Sequence, residues 1–378
     1  MNKLRIPFSV CVNFLKREAV LTIALLLAFG SLFLIPRDAP PIPWSAIDWD
    51  TLALLFSLMA VMKGAQMLGL FDYFGSALLQ RTQNTQQMLL VLIFLPFLCS
   101  MVITNDVALI TFVPFAITVL HLSKQERLSI RVVILQTLAA NLGSMLTPMG
   151  NPQNLYLYRV SGIGFASFLR LMLPYVLLSA LVLTLMIILC RKEPLVLKPE
   201  KVRPGNTHGL IFCALGFMLC ILALLKLLPA LVAAGIIFIF LLITDRKLLC
   251  SLDYPLLCTF LAFFVFIGNM ERIEPFRSWL SSVLAGNELS AAVLTSQIIS
   301  NVPAALLLSG FTSNWQALIV GCNLGGMGTL IASMASLISY KQLVGEFPAL
   351  RTRYLVQFTL HNLLLLGVLY TCALILVE

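Results

Sequence analysis

Charge is what this chain is short of. Only 11% of its 378 residues are Asp, Glu, Lys or Arg, 60% are hydrophobic, and the mean hydropathy is +0.98. A soluble domain of this length needs more charge to cover its surface, so that class is excluded. Histidine is scarce as well, with three in all. No zinc-type His/Glu motif and no nucleophile–base pair occurs, which argues against an enzyme. The nine cysteines form no C-x-x-C pair; eight lie in apolar runs or at their ends and Cys11 near the N-terminus, and all are expected as buried, inert thiols without metal or disulfide. The run 19–36 lacks a small-residue cleavage site and ends in Ile35-Pro36-Arg37-Asp38, so it is expected to be a retained span. The most polar linker, 191–208, is too short to be a soluble domain.

Long apolar runs fill the rest. They lie near 19–36, 51–69, 88–120, 132–158, 168–190, 209–225, 228–244, 254–270, 289–311, 315–340 and 354–377. Backbone amides in lipid must be bonded internally, so the runs are helices and the fold class is an all-α polytopic membrane protein. The net charge of +9 does not indicate nucleic acid, because the basic residues sit in short loops between runs. With the N-terminus inside, Lys3, Arg5, Lys16, Arg17, Arg81, Lys124, Arg127, Arg131, Arg191, Lys192, Lys198, Lys201, Arg203, Arg246, Lys247, Lys341, Arg351 and Arg353 all fall in the cytoplasm. That is about three quarters of the Lys and Arg. The C-terminus is then outside, in a cytoplasmic (plasma) membrane.

Two stretches repeat one another. Thr104-Asn105-Asp106 and Ser300-Asn301-Val302-Pro303 each interrupt an apolar run. Downstream of them, Asn141-Leu142-Gly143-Ser144-Met145-Leu146-Thr147 matches Asn323-Leu324-Gly325-Gly326-Met327-Gly328-Thr329, and the register extends to Tyr158 and Tyr340. Upstream, Phe56 to Gly64 aligns with Phe260 to Gly268. Each unit is a span, an amphipathic segment, a hairpin broken at its tip and a broken span. The chain divides into an N-terminal span and outside loop (1–50), a first repeat (51–160), connecting spans with a basic linker (161–253), a second repeat (254–342) and a C-terminal span (343–378). Three spans separate the units, which predicts two inverted-topology repeats. Broken segments at matching places in two halves mark a secondary transporter's binding site. The run 88–120 is basic at both flanks, so a re-entrant hairpin turning at Thr104-Asn105-Asp106 is expected there. The same is expected of 289–311.

At each tip a new helix starts. Thr104, Asn105 or Asp106 is expected to cap an arm beginning near Val107, and Asn301 an arm beginning at Pro303. Two helix N-termini then face the mid-membrane, a geometry suited to an anionic or oxygen-rich solute. Freed carbonyls and hydroxyls at Gly143, Ser144, Thr147, Gly325, Gly326 and Thr329 suit Na⁺. Gly150-Asn151-Pro152-Gln153-Asn154 lengthens the polar stretch of the first repeat. Asp106 is the one acidic residue placed deep in the membrane, and it is a candidate cation ligand or proton carrier. Lys63, Lys226 and His361 are expected to be structural.

These residues resemble the ion transporter superfamily, which holds arsenite permeases, citrate and dicarboxylate transporters and some sodium/proton antiporters. Ser300-Asn301 resembles the Ser-Asn-Thr hairpin signature of the dicarboxylate branch. Thr104-Asn105-Asp106-Val107-Ala108-Leu109 and Gly321-Cys322-Asn323-Leu324-Gly325 are similar to runs of the arsenite branch. The combination with Thr147-Pro148-Met149-Gly150-Asn151-Pro152-Gln153-Asn154 looks closest to uncharacterised bacterial permeases. The resemblance implies a scaffold, a moving transport domain holding both hairpins, elevator-type alternating access and a homodimer. The expected function is cation-coupled transport of a small anion or oxyanion-like solute. Thr104, Asn105, Ser300, Asn301, Asn151, Thr147 and Thr329 would contact the solute. Asp106, Asn105, Ser144, Gly143, Asn301, Gly325 and Gly326 would couple the ion, with Na⁺ at Thr104, Asn105, Ser300 and Asn301. No cofactor is expected beyond Na⁺ or H⁺ as coupling ion. Arsenite/antimonite efflux and Na⁺/H⁺ antiport are the alternatives.

Overall fold

The computed structural model describes residues 18–35, 47–195 and 204–377. The expectations for Lys3, Arg5, Lys16, Arg17, Lys198, Lys201, Arg203 and much of the 191–208 linker lie outside the described residues, as does Cys11. What is described is helical, with one isolated antiparallel bridge between Asn84 and Pro194. We number the helices α1 (Ala19–Ser31), α2 (Trp49–Met67), α3 (Leu70–Leu79), α4 (Thr85–Cys99), α5 (Asn105–Leu122), α6 (Ser129–Gly143), α7 (Pro152–Ser161), α8 (Phe165–Ile188), α9 (Thr207–Leu224), α10 (Ala230–Thr244), α11 (Arg246–Cys250), α12 (Tyr254–Met270), α13 (Glu274–Leu284), α14 (Glu288–Ile299), α15 (Asn301–Ser309), α16 (Trp315–Leu324), α17 (Met334–Glu346) and α18 (Arg351–Val377).

Polar residues punctuate the apolar sequence where helices begin. Asp48, Asn84, Asp245, Asp253 and Asn314 each accept a backbone N–H of the helix they precede, supplying a partner to donors that helical bonding leaves over. Gly69, at φ +67°, turns the chain from α2 into α3, and the two axes differ by 52°. The corresponding bend between α12 and α13 is 104°. Among the described residues, five helical segments are long and apolar enough to cross a membrane, or up to seven if each bent pair is one span. Large apolar side chains stay exposed along α8 (Leu173, Leu177, Leu181, Leu185) and α18 (Val356, Leu360, Leu363, Leu364). Stripes of that size belong against lipid tails. Of the cysteines, Cys190, Cys220 and Cys322 are buried but Cys250 and Cys258 are exposed, against the expectation of burial for all.

The two repeats share one order of elements: span, tilted short helix, two helices packed as a hairpin, a helix ending at a break, and a helix beyond it. In the first, α4 and α5 pack on each other and on α6. In the second, α14 and α15 pack on each other and on α16. Each hairpin closes at its open end. Glu193 receives Thr85 N–H on its carbonyl at 3.0 Å and pairs with Arg127 through its carboxylate, so the start of α4 and the segment after α5 meet at one residue. The Arg127 guanidinium holds the Glu193 carboxyl below its ordinary range. In the second hairpin, Thr312 donates to Glu288 at 3.3 Å. The helices past the breaks cross over: α7 packs against α15 and α16, and α17 against α5 and α6.

Prolines inside the first hairpin leave carbonyls without an amide, and glutamines serve them. Pro96 has no N–H for Leu92 O; the Gln136 amide donates to it at 2.8 Å and to Phe112 O at 3.2 Å. Pro114 likewise frees Ile110 O, which accepts from Gln342 of α17 at 3.4 Å. Gln136→Leu should therefore cost about 1–3 kcal/mol, the penalty of one buried unpaired carbonyl. In a Pro96→Ala background the same substitution should cost far less, because alanine at that position restores the helical N–H. Thermal unfolding of the four proteins in detergent checks this; equal costs in both backgrounds would refute it.

Candidate functional site

The chain breaks its helices at four places, and the breaks come together. Between α4 and α5 lie Ser100 to Thr104, and between α14 and α15 only Ser300. After α6 the backbone runs through two 3-10 turns (Ser144–Leu146 and Pro148–Gly150) before α7, and residues 325–333 separate α16 from α17. Glycine is required where these strands of chain touch. A Cβ on Gly143 would stand 2.0 Å from Phe97 O, and one on Gly325 would stand 2.5 Å from Ser296 Oγ. Each broken helix is thus pressed against the first arm of its own hairpin.

Both arms start earlier than the sequence suggests. α5 begins at Asn105, not Val107, with Thr104 extended at the cap position and making no side-chain cap bond. Asn105 Oδ1 accepts Asp106 N–H at 2.9 Å, so Asp106 lies inside the first turn and does not cap it. α15 begins at Asn301, not Pro303, because Ser300 takes φ +76° and reverses the chain in one residue. Pro303 still fits, since first-turn amides need no helical partner. A positive φ is costly for serine, and it is held here from across the break. Asn301 N–H donates to Ala332 O at 3.0 Å, and Ser300 Oγ to the same oxygen at 3.4 Å.

An amide network joins the breaks. Asn141 Oδ1 accepts from Asn105 at 2.8 Å and from Ser333 at 3.1 Å, tying the first tip to the second break. Asn323, which matches Asn141, donates to Asn154 Oδ1 at 2.7 Å, tying the second repeat to α7. Asn154 in turn reaches Ser144 O and Thr147 O, at 3.3 and 3.4 Å.

A cavity of about 60 Å³ opens where the tips meet α1 and α12. The first repeat lends it Asn105, Asp106 and Gln153; the second lends Ser300, Asn301 and Ser333; α12 and its cap lend Thr259 and Asp253. Asp106 Oδ1 and Gln153 Nε2 are buried there without a protein partner. Glu18 adds a third carboxylate to the lining, and no Lys, Arg or His lines it among the described residues.

Asn105, Asp106, Ser300 and Asn301 therefore share one cavity. Thr104 stands next to it without lining it. Asn151 bonds Ser144 Oγ at 2.7 Å, behind the cavity. Thr147 donates to Met101 O and Thr329 to Gln297 O, so both threonines fasten break to hairpin. Gly143, Gly325 and Gly326 are close-packing positions, Gly326 lying against the Asn301 amide. A second carboxylate, Asp253, shares the cavity with Asp106. The signal for Asp253 in the sequence is an Asp just before Tyr254-Pro255 at the head of a span, which reads as a helix cap and gives no hint of the cavity. Gln297 and Ser333 also carry no mark of their own.

A polytopic helical bundle with a buried polar cavity at the meeting of its helix breaks defines a membrane transport protein. This chain belongs to the citrate transporter family, whose sequence profile matches residues 14–316. Inner membrane protein YbiR of Escherichia coli is 31% identical over 333 residues, covering 86% of this chain and 88% of that protein. Uncharacterized transporter MJ0456 of Methanocaldococcus jannaschii is 32% identical over 298 residues, 78% of this chain and 81% of its own. The crystal structure of the Alcanivorax borkumensis YdaH transporter, described as having an unusual topology, superposes with a TM-score of 0.53 over 93% of this chain and 95% of that one. At 14% identity that likeness is one of fold alone. The chain is a non-enzymatic transporter of the membrane.

Asn105 and Ser333 share one acceptor, so the effects of removing them should not add. Asn105→Ala and Ser333→Ala, singly and together, should show a coupling of about 0.5–3 kcal/mol in thermal unfolding, as contacting residues of one network do. Strict additivity would mean that the first tip and the second break are fastened independently.

Proposed function

We propose that the chain is a cation-coupled secondary transporter of a small anion or oxyanion-like solute, a carboxylate or an inorganic oxyanion, working by alternating access. The observation that carries this reading is the charge of the cavity. Two hairpin tips offer it helix N-termini and amides, which favour an oxygen-rich solute. Its charged side chains include Asp106 and Asp253, with no basic residue in the described lining. An anion entering alone would be repelled, so it must come with Na⁺ or H⁺. At about 60 Å³ the cavity has room for an ion and very few waters or a very small solute, well below the volume of a drug-sized pocket.

The frame around the site supports the rest of the proposal. Contacts sort the loops onto two faces. Thr85, Arg127 and Glu193 meet on one, and His121 links Glu346 to it at 3.6 Å. Asp50 pairs with Arg159 on the other, and Ser290 meets Tyr370 at 2.6 Å near the far end of α18. Hairpins opening to opposite faces fit inverted-topology repeats. Basic loops then favour a cytoplasmic first face, with the C-terminus outside. In this reading both hairpins and the broken helices move together past α2 and α9–α12, as an elevator within a homodimer.

A second reading has support of its own. Two carboxylates, Asp106 and Asp253, on one cavity suit a Na⁺/H⁺ antiporter with no anion site. Purified protein in liposomes, given a Na⁺ or H⁺ gradient, should accumulate labelled citrate, succinate or arsenite. Cation exchange without uptake of any of them would favour the antiporter and sink the anion reading.

Asp106→Asn keeps the size of the side chain and breaks no cap. It should abolish dependence of transport on the ion gradient while leaving the thermal midpoint within about 2 °C, as expected for a change below about 0.5 kcal/mol. Undiminished gradient-driven uptake would remove Asp106 from coupling. For topology, single cysteines at Gln83 and Lys124 in a thiol-free background should both resist an impermeant reagent in intact cells. Labelling of one alone would mean that α4 and α5 carry the chain across the membrane.

A further inference from the structure

The repeats differ at one matched point, and the difference bears on how many ions the transporter carries. Thr147 donates to Met101 O in the first repeat and Thr329 donates to Gln297 O in the second. Met101 precedes Asn105 by the interval at which Gln297 precedes Asn301, so the two positions are equivalent. The Met101 side chain has no N–H to offer. The Gln297 amide nitrogen, in contrast, donates to Gly325 O and Met327 O, each at 2.9 Å, and to Val293 O at 3.2 Å. Its oxygen accepts Thr329 N–H at 2.9 Å.

An amide NH₂ has two hydrogens, yet three carbonyls converge on this one. A point ringed by backbone carbonyls is what a hard monovalent cation selects when it sheds its water. The backbone beside it is adapted to the glutamine. Gly328 takes φ +108°, and a Cβ on it would stand 2.3 Å from Gln297 Oε1. The equivalent residue of the first repeat is Leu146, which no glutamine confronts. A third difference points the same way. Asp106, whose Oδ1 is buried without a protein partner, matches Val302. The first repeat combines Met101, Leu146 and a carboxylate; the second combines Gln297, Gly328 and an apolar side chain.

We infer that the Gln297 side-chain amide stands in for a cation in the second repeat, so that the chain carries one coupling-ion site, in the first repeat beside Asp106. This rests on the cation-coupled reading of the site. The neutral amide presents its positive edge to the carbonyls permanently, and no ion needs to bind or leave there during the cycle. One ion per chain follows.

Radioactive sodium bound to purified full-length protein counts the sites, and thermal midpoints in NaCl against choline chloride report their linkage to stability. The wild type should bind one Na⁺ per chain and Asp106→Asn none. Gln297→Glu keeps the shape but sets oxygen against the carbonyls. It should be less stable than wild type in choline chloride, bind a second Na⁺, and recover in NaCl by more than wild type gains. Gln297→Met, the first repeat's own residue, should also take up a second Na⁺. Two ions on the wild type would overturn the inference. So would variants that fold but gain no ion, or variants that fail to fold even in saturating NaCl, since a cation then cannot replace the amide. No Na⁺ on the wild type with one on Gln297→Glu would instead sink Na⁺ coupling at Asp106 and leave the exchange of amide for cation standing.

Discussion

A backbone carbonyl inside a membrane has no water to turn to, and much of this architecture answers that constraint. The chain breaks its helices at four buried places and sets proline inside others, which strands acceptors. Amide side chains meet the need. Gln136 serves Leu92 O, Gln342 serves Ile110 O, Gln297 serves two carbonyls of the second break, and Asn154 reaches two of the first. Each of these has a donor and an acceptor on one planar group, so it can satisfy a carbonyl and still bond onward. Asn141 and Asn323 are junctions through one end of the amide each: Asn141 Oδ1 accepts from Asn105 and Ser333, and Asn323 Nδ2 donates to Asn154 and to Ile319 O. The matching is not complete: Asp106 Oδ1 and Gln153 Nε2 face the cavity without a protein partner.

Much of this is legible in the chain alone. Membrane class, the paired breaks and the hairpins follow from hydropathy and from basic flanks around 88–120, because those signals are local and strong. The tips fall at the residues that the sequence points to, though the helices start at Asn105 and Asn301, two residues earlier than proline and capping rules suggest. Ser300 explains the second shift: no pattern announces that a serine will adopt a positive φ, since the bonds that hold it come from Ala332, far along the chain. Asp253 escapes notice for the opposite reason. Its local role as a helix cap is sufficient to explain it, and only packing brings it beside Asp106. The glutamines are invisible to sequence patterning because the carbonyls they serve lie on other helices.

The repeats are alike in frame and unlike in chemistry. Matched threonines fasten matched breaks to matched hairpins, and matched glycines let the backbones touch. Onto this common frame the first half places a carboxylate and the second an amide. The matched positions differ at Asp106 against Val302 and at Met101 against Gln297. The family likeness, spread over residues 14–316, fits the common frame.

The crossing of α7 and α17 into the opposite repeats also sets an order for biogenesis. When the first repeat has left the ribosome, Ile110 O still lacks Gln342, Asn141 lacks Ser333, and α7 has neither α15 nor α16 to lie on. Its hairpin can insert but cannot close its core. Completion waits for residues near the C-terminal end of the chain, and contacts of such sequence separation form slowly. The interval between the two halves is thus a window in which the half-made protein is open to misassembly or to proteolysis, and a chaperone of membrane insertion would find its most vulnerable client there.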